Sequence, residues 1–391
     1  MNFKIPFSGR SHKYNKNEIE AVVNSMNDGQ TLTQGVKMKE FENIFSKYIG
    51  EGDAFAVNSA TSALELAAQL CLFNKGDEVI CPSHTYTASL YPFIKNGAKP
   101  VWVDISSETM VTSLDLIKKK VTKKTKAILA IHLYGYCIND IEKIAQFAKS
   151  RGIILIEDVA QAIGTEIGNK KAGTFGDFGI YSFHSHKNIS TLGEGGILLT
   201  KVQKYIDIIP MLRHNGHCDF DFPREKYWIP AMGNVDLPEL DNRILYPNNF
   251  CIGEAQCALG VELVKRIDSI NSQKRKRAIT FINSISESKI ITFNKVNTTQ
   301  HNYHLLVGKV SGGHRDTIID VLSKKYGIQC VVQYYPLNRY DLYSKLNLSN
   351  SDCENADDFY DNMISFPFQH WMSDEDFNYM LEKTKAVLSN L

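Results

Sequence analysis

A chain of 391 residues exceeds one comfortable core and predicts two domains, or one large domain with a smaller appendage. Hydrophobic content of 43% and charged content of 22% describe an ordinary globular protein, and 44 Lys and Arg against 43 Asp and Glu, with no block of like charge, point away from nucleic acid and from an anionic membrane surface. Small-molecule chemistry is what remains. The eight cysteines are scattered without a Cys-x-x-Cys pair, which reads as buried reduced thiols and not as a disulfide framework or metal site. The N-terminus MNFKIPFSGRSHKYNKNE lacks an apolar signal core, and no window reaches the roughly 18 apolar residues of a membrane span, so a cytoplasmic protein is expected.

From residue 54 short apolar runs alternate with amphipathic ones, the pattern of a mostly parallel sheet covered by helices. AFAVNS (54–59) predicts a strand and TSALELAAQLCLF (61–73) a helix. EVICPS (78–83), KPVWVDI (99–105), KAILAIHLYG (126–135), IILIEDVA (153–160), GIYSFH (179–184) and GILLTK (196–201) predict further strands, seven in all. The runs are continuous enough for strands buried on both faces. After residue 202 the alternation stops, and a segment rich in aromatics and Pro spans 220–246, long for a loop and so a candidate functional one. A helical pattern without Pro then runs from Gly253 through EAQCALGVELVKRIDSINSQKRKRAITFINSI. It leads to a smaller α+β part with the strand HLLVGKV (304–310), the helix RDTIIDVLSKKYG and the terminal helix SDEDFNYMLEKTKAVLSNL. The expected division is 1–252, carrying an N-terminal helical arm, and 253–391.

Four features fall at strand ends, where open α/β sheets bind ligands. NSATS (58–62) offers hydroxyls and free N–H groups at a helix start, suited to phosphate, although the same residues cap helices generally. CPSHTYTAS (81–89) carries Tyr86, an aromatic able to stack on a flat ligand or simply to pack. IEDVAQAIG (156–164) delivers Asp158 and then Gln161 from an apolar strand, a charge held for a partner such as a ring nitrogen. SFHSHKNISTLGEGG (182–196) sets His184, His186 and Lys187 before a glycine cluster, and a partly desolvated lysine there is a competent amine nucleophile.

This ordered set, with the later NNFCIGEAQCALG, resembles the fold type I sugar aminotransferases dependent on pyridoxal phosphate (PLP), the DegT/StrS family, nearly from end to end. The resemblance implies an α/β fold: a large domain with a mostly parallel seven-stranded sheet flanked by helices, plus a smaller C-terminal α+β domain. It implies that Lys187 binds PLP covalently, that Asp158 pairs with the pyridine nitrogen, that Gln161 lies by the ring hydroxyl and that Tyr86 stacks on the ring. Thr61, Ser62 and Ser182 correspond to phosphate ligands, and Asn249 to an asparagine that reaches the phosphate bound by the other subunit of a homodimer with shared sites. His184, His186, His304, Gln333 and Tyr334 are candidates for the substrate side, with no metal.

The implied activity is transfer of an amino group from glutamate or glutamine to a keto or aldehyde sugar, a nucleotide-linked keto-deoxyhexose being the family's commonest acceptor, for surface polysaccharide or glycoconjugate synthesis. Some relatives carry His in place of the lysine and act as dehydratases. Counting from Ser182-Phe183, and back from Gly193, excludes His186 from that position. The chain departs from the family at Ser185-His186, where Pro-Thr is usual, at Asn249-Phe250-Cys251 for Asn-Tyr-Arg, and at Gln333-Tyr334 for His-Tyr. Those departures leave open a smaller acceptor, such as a phosphorylated triose or cyclitol ketone, or a PLP-dependent lyase. A dinucleotide oxidoreductase is disfavoured, because no strand is followed by Gly-x-Gly-x-x-Gly.

Overall fold

The computed structural model describes residues 3–220, 233–349 and 352–391. Two helices come first, α1 (Lys16–Asp28) and α2 (Val36–Ile49). A capping box starts α1, the Asn15 side chain accepting from the Glu18 N–H while the Glu18 carboxylate accepts from the Asn15 N–H. Residue 35, at the start of α2, is a glycine and offers no side-chain cap. The buried carboxylate of Glu254 supplies one from far along the chain, accepting from the N–H groups of Gly35, Lys37 and Met38 at 2.8 to 3.0 Å.

The alternating stretch then forms β1 (Asp53–Val57), α3 (Ala60–Leu70), β2 (Glu78–Pro82), β3 (Lys99–Val103), α4 (Leu114–Lys120), β4 (Thr125–Ile131), α5 (Ile141–Ser150), β5 (Ile154–Asp158), β6 (Phe178–Ser182) and β7 (Gly196–Thr200). The strands make one seven-stranded sheet in the order β1-β7-β6-β5-β4-β2-β3. Strands β2 to β6 run parallel, and β7 is antiparallel to both its neighbours. Every residue of β2, β6 and β7 is buried, as strands covered on both faces require. The expected mostly parallel sheet is therefore the one that forms, and the C-terminal ends of β4, β5 and β6 share one edge. Ile131 pairs with Asp158 there, and Ser182 ends the next strand.

A glycine makes that edge usable. β7 opens at Gly196, paired with Ser182 on one side and Val57 on the other. A Cβ at this position would lie 2.4 to 2.5 Å from backbone atoms of Ser59 and Ala60. Backbone cannot rotate aside as a side chain can, so only glycine lets β7 pass under the first turn of α3.

The helix expected to run unbroken from Gly253 is two helices, α6 (Glu254–Val264) and α7 (Ile267–Ile285). The break falls at Lys265 and Arg266, where neither Pro nor Gly announces it. Arg266 turns its guanidinium to the buried Glu18 of α1 at 2.5 Å, and this tertiary ion pair holds the corner. Beyond α7 come β8 (Ile291–Phe293), β9 (Leu306–Val310), α8 (Arg315–Lys324), β10 (Met363–Phe366) and α9 (Asp374–Leu388), with β8-β9-β10 forming an antiparallel sheet. Cys257 and Leu259 of α6 belong to the apolar cluster of the large sheet, whereas Phe281 and Ile282 of α7 join Ile5, Leu306 and Phe366 in a second cluster. We propose two structural units on this basis, with the joint carried by α7.

Part of the aromatic segment expected over 220–246, namely 221–232, lies outside the described residues. Its described remainder includes two short antiparallel ladders, Asn234–Val235 on His217–Cys218 and Glu239–Leu240 on Arg243–Ile244. Six of the eight cysteines are buried, with Cys218 and Cys251 half-buried. Among the described residues no helix is long and apolar enough to cross a membrane.

Gly196→Ala is predicted to lower the unfolding free energy by about 1–3 kcal/mol, because the added methyl meets immovable backbone. The midpoint of urea unfolding should fall with its slope unchanged. An unaltered midpoint would contradict the close approach.

Candidate active site

The shared strand edge opens into a cavity of about 420 Å³, lined by Ser59, Ala60 and Thr61 at the start of α3, by Tyr86 and Ser89, and by Asp158, Gln161, Ser182 and Lys187. At one end sits the N-terminus of α3. Ser59 caps it, its hydroxyl accepting from the Ser62 N–H at 3.1 Å. First-turn N–H groups have no intrahelical partner and carry the positive end of the helix dipole, so this end suits an anion. The buried Ser182 hydroxyl also lines it and accepts from the His184 N–H at 3.3 Å, which leaves its proton to donate.

Asp158, 6% exposed, stands elsewhere on the wall. Its carboxylate accepts from the Ser89 hydroxyl at 2.7 Å and from the Ala160 N–H at 3.0 Å. Both donors are neutral, so the carboxylate keeps acceptor capacity for a cationic N–H in the cavity. Lys187 faces the same space. Burial brings its amine down from 10.5 to about 8, while the charges of Asp158 and Glu194 pull in the opposite direction. The residue after it is clamped from three directions. Asn188 donates to Asn271 at 3.1 Å, its side-chain oxygen accepts from Lys274 Nζ at 3.0 Å, and its carbonyl faces His12 Nδ1 at 3.2 Å.

The other expected residues divide into those the fold brings together and those it does not. Gln161 lines the cavity, but its amide is engaged within the protein, accepting from the Tyr134 N–H at 2.7 Å and donating to the Tyr334 hydroxyl at 3.1 Å. Tyr86 is 55% exposed at the wall and meets Tyr334 edge-on, ring centroids 5.8 Å apart. Thr61 lines the cavity, whereas the Ser62 hydroxyl turns away to donate to Asn58 at 2.5 Å. Asn249 is exposed and lines no part of this cavity. His184 lies across from Glu194 at 3.7 Å, and burial together with the Lys187 charge lowers its pKa. His186, Gln333 and Tyr334 line both this cavity and a smaller one beside it, to which the buried His304 belongs.

Sequence reasoning passed over Ser89 and Glu194, although both stood inside motifs it quoted. Ser89 is found only by knowing that its hydroxyl turns to Asp158, a contact across 69 positions of sequence. The assembled groups suit one kind of ligand. A helix N-terminus and a serine hydroxyl meet a phosphate, a buried carboxylate meets a protonated ring nitrogen, and an amine of lowered pKa meets an aldehyde. PLP fits this donor set.

Comparison with known proteins agrees. Residues 13–385 match the DegT/DnrJ/EryC1/StrS aminotransferase family. A GDP-perosamine synthase of Vibrio cholerae is 31% identical over 333 residues, which are 84% of this chain and 85% of that protein. An L-glutamine:2-deoxy-scyllo-inosose aminotransferase of Streptomyces kanamyceticus is 30% identical over 324 residues, 81% of this chain and 74% of that protein. Among solved structures, Spr1654 from Streptococcus pneumoniae in its PMP form matches with a TM-score of 0.85 at 28% identity, covering 99% of this chain and 100% of that one, and it is known in a PLP form as well. The chain belongs to the DegT/DnrJ/EryC1/StrS aminotransferase family and is a PLP-dependent transaminase of fold type I.

Proposed function

We propose that this transaminase moves the amino group of glutamate or glutamine onto the keto or aldehyde carbon of a sugar, in the first instance a nucleotide-linked keto-deoxyhexose used for surface polysaccharide or glycoconjugate. The similarity to a GDP-perosamine synthase at 31% identity supports the acceptor class. One observation carries the chemistry: an amine of lowered pKa and a buried carboxylate face a single cavity. The cyclitol aminotransferase at 30% identity supports a cyclitol ketone as the second reading, and a panel of acceptors separates the two.

When bound, PLP supplies an electron sink for the carbon that loses or gains a proton. The residues proposed to hold it are Thr61, Ser182 and the α3 N-terminus at the phosphate, Asp158 at the ring nitrogen, and Tyr86 and Gln161 beside the ring. A buried anion at Asp158 favours the protonated nitrogen, which is the form that draws electrons. Lys187 Nζ takes and returns the proton. With an amine pKa of about 8, about one molecule in ten has this nitrogen neutral at pH 7, against about one in three thousand at the ordinary 10.5. Burial thus makes the base available without raising the pH.

We further propose a homodimer with shared sites, through Asn249. Ile19, Val23 and Met26 lie on one stripe of α1, between 45% and 66% exposed, and Leu32 and Val36 beyond it are exposed over 70%. An apolar run of this kind is better covered than wet.

Lys187→Ala is expected to cut release of 2-oxoglutarate from glutamate by about 10²–10⁴-fold, the usual worth of a positioned base. Activity within tenfold of the parent would defeat the assignment. The apoenzyme should capture PLP faster as pH rises, levelling off near 8 and not near 10.5, since a depressed pKa makes the neutral amine predominate above about 8. Asp158→Asn keeps the shape of the side chain but removes its charge. It should retain PLP, as seen in the absorption spectrum, while glutamate turnover drops by about 10²-fold or more; undiminished turnover would remove Asp158 from the mechanism.

A further inference from the structure

A pocket of about 30 Å³ adjoins the main cavity and shares His186, Gln333 and Tyr334 with it. Two of its lining side chains are buried and unsatisfied. His304 is 3% exposed, and neither ring nitrogen has a hydrogen-bond partner among the described residues. Gln369 is 7% exposed, and its Nε2 donates to the Pro6 carbonyl at 3.2 Å while its Oε1 has no donor. Buried polar atoms are nearly always paired, so orphans on two residues that line one pocket point to a ligand group.

The walls are rigid. Lys274, 2% exposed, donates to the His304 carbonyl at 2.8 Å and to the Phe368 carbonyl at 2.9 Å, so a single ammonium fixes the backbone on both sides. The volume suits one small polar group and not a nucleotide base. Chemistry narrows the group further. Gln369 Oε1 only accepts. The His304 imidazole is kept neutral by burial and by the nearby Lys187 and Lys274 charges, and so offers one N–H and one lone pair. Lys274 has spent its N–H groups on three oxygens, and no guanidinium lines the pocket among the described residues. A carboxylate, which only accepts, would confront Gln369 Oε1. A hydroxyl donates and accepts, and matches both groups.

We propose that this side pocket is a recognition site for a hydroxyl of the acceptor sugar, next to the carbon that receives nitrogen, with His304 and Gln369 as its partners. The proposal rests on the reading of the acceptor as a sugar, and it makes Gln369 a specificity residue that glutamate does not need.

The test separates the two half-reactions in stopped-flow absorbance. Glutamate drives one, and a panel of GDP- and UDP-linked amino sugars, GDP-perosamine among them, drives the reverse of the other, each sugar paired with its analogue lacking the hydroxyl beside the amino carbon. In Gln369→Leu the glutamate half-reaction should stay within about threefold of the parent, while kcat/KM for the hydroxylated sugar falls about 10–100-fold and that for the deoxy analogue does not. Equal losses on both members of a sugar pair overturn the site, as does a parallel fall with glutamate, which would mark a carboxylate pocket. A parent enzyme that reacts with glutamate and with no sugar of the panel overturns the acceptor class, and this site falls with it.

Discussion

The site answers to one buried charge. Two adjacent acids end β5, and the protein treats them in opposite ways, because successive side chains of a strand point to opposite faces. Glu157, fully buried, accepts from the N–H groups of Gly173, Phe175 and Gly176 at 2.7 to 2.8 Å and contacts His132 Nε2 at 3.0 Å. Its acceptor sites are filled by protein, so it pins the turn before β6 and has nothing left for a ligand. Asp158 has one hydroxyl and one N–H. An ionised carboxylate withdrawn from water at a cost of several kcal/mol needs more than this, and the remainder comes from whatever cation enters the cavity. What the protein withholds from Asp158 thus leaves its carboxylate free to accept from a cationic N–H in the cavity.

Lysines complete that electrostatic arrangement at two depths. Lys187 borders the cavity and is drawn toward neutrality by burial. Lys274 lies behind it, and burial pulls its amine down to about 7, while its three oxygen partners match the three protons of the charged form. Those partners come from the loop after Lys187, from the segment leading to β9 and from the segment after β10. A single buried group on α7 therefore ties the loop after Lys187 to the adjoining ends of two neighbouring strands of the small sheet, β9 and β10. His12, from the N-terminal segment, reaches the same Asn188 and is backed by Glu18, which also holds Arg266 at the corner between α6 and α7. The position of Lys187 consequently depends on parts of the chain that never touch the cavity.

This explains what could and could not be read in advance. The seven strands were legible because each is an apolar run of ordinary strand length, and burial on both faces leaves little else for such a run to be. The places of Asp158 and Ser182 at the cavity were legible because each ends a strand, and that of Lys187 because it follows Ser182 by only five residues, so that spacing along the chain fixes position in space. The corner at Lys265 and Arg266 was not, since its cause is an ion pair with a residue 248 positions away. Ser62 illustrates a finer limit. A hydroxyl in the first turn of a helix can face a ligand or bond within its own turn, and here it turns to Asn58, a choice of rotamer that residue type does not announce.

The substrate side was the least legible because it is assembled from the most distant pieces. The Ser185 carbonyl accepts from the Ser11 N–H at 2.9 Å, so the N-terminal segment lies across the loop where Ser185-His186 replaces the family's Pro-Thr. His186 then leans toward Gly9, where a Cβ would come within 3.1 Å of its Nε2. A side chain at residue 9 would press on this ring, which sits between the main cavity and the side pocket. Departures from a family pattern at 185–186 and at 333–334 thus converge on a single wall, joined by residues 7–11 and 368–369. Cofactor chemistry constrains the strand ends tightly, because a ring and a phosphate have to be met there. No such demand fixes this wall, and it is where a change of acceptor can be accommodated without disturbing Asp158 or Lys187.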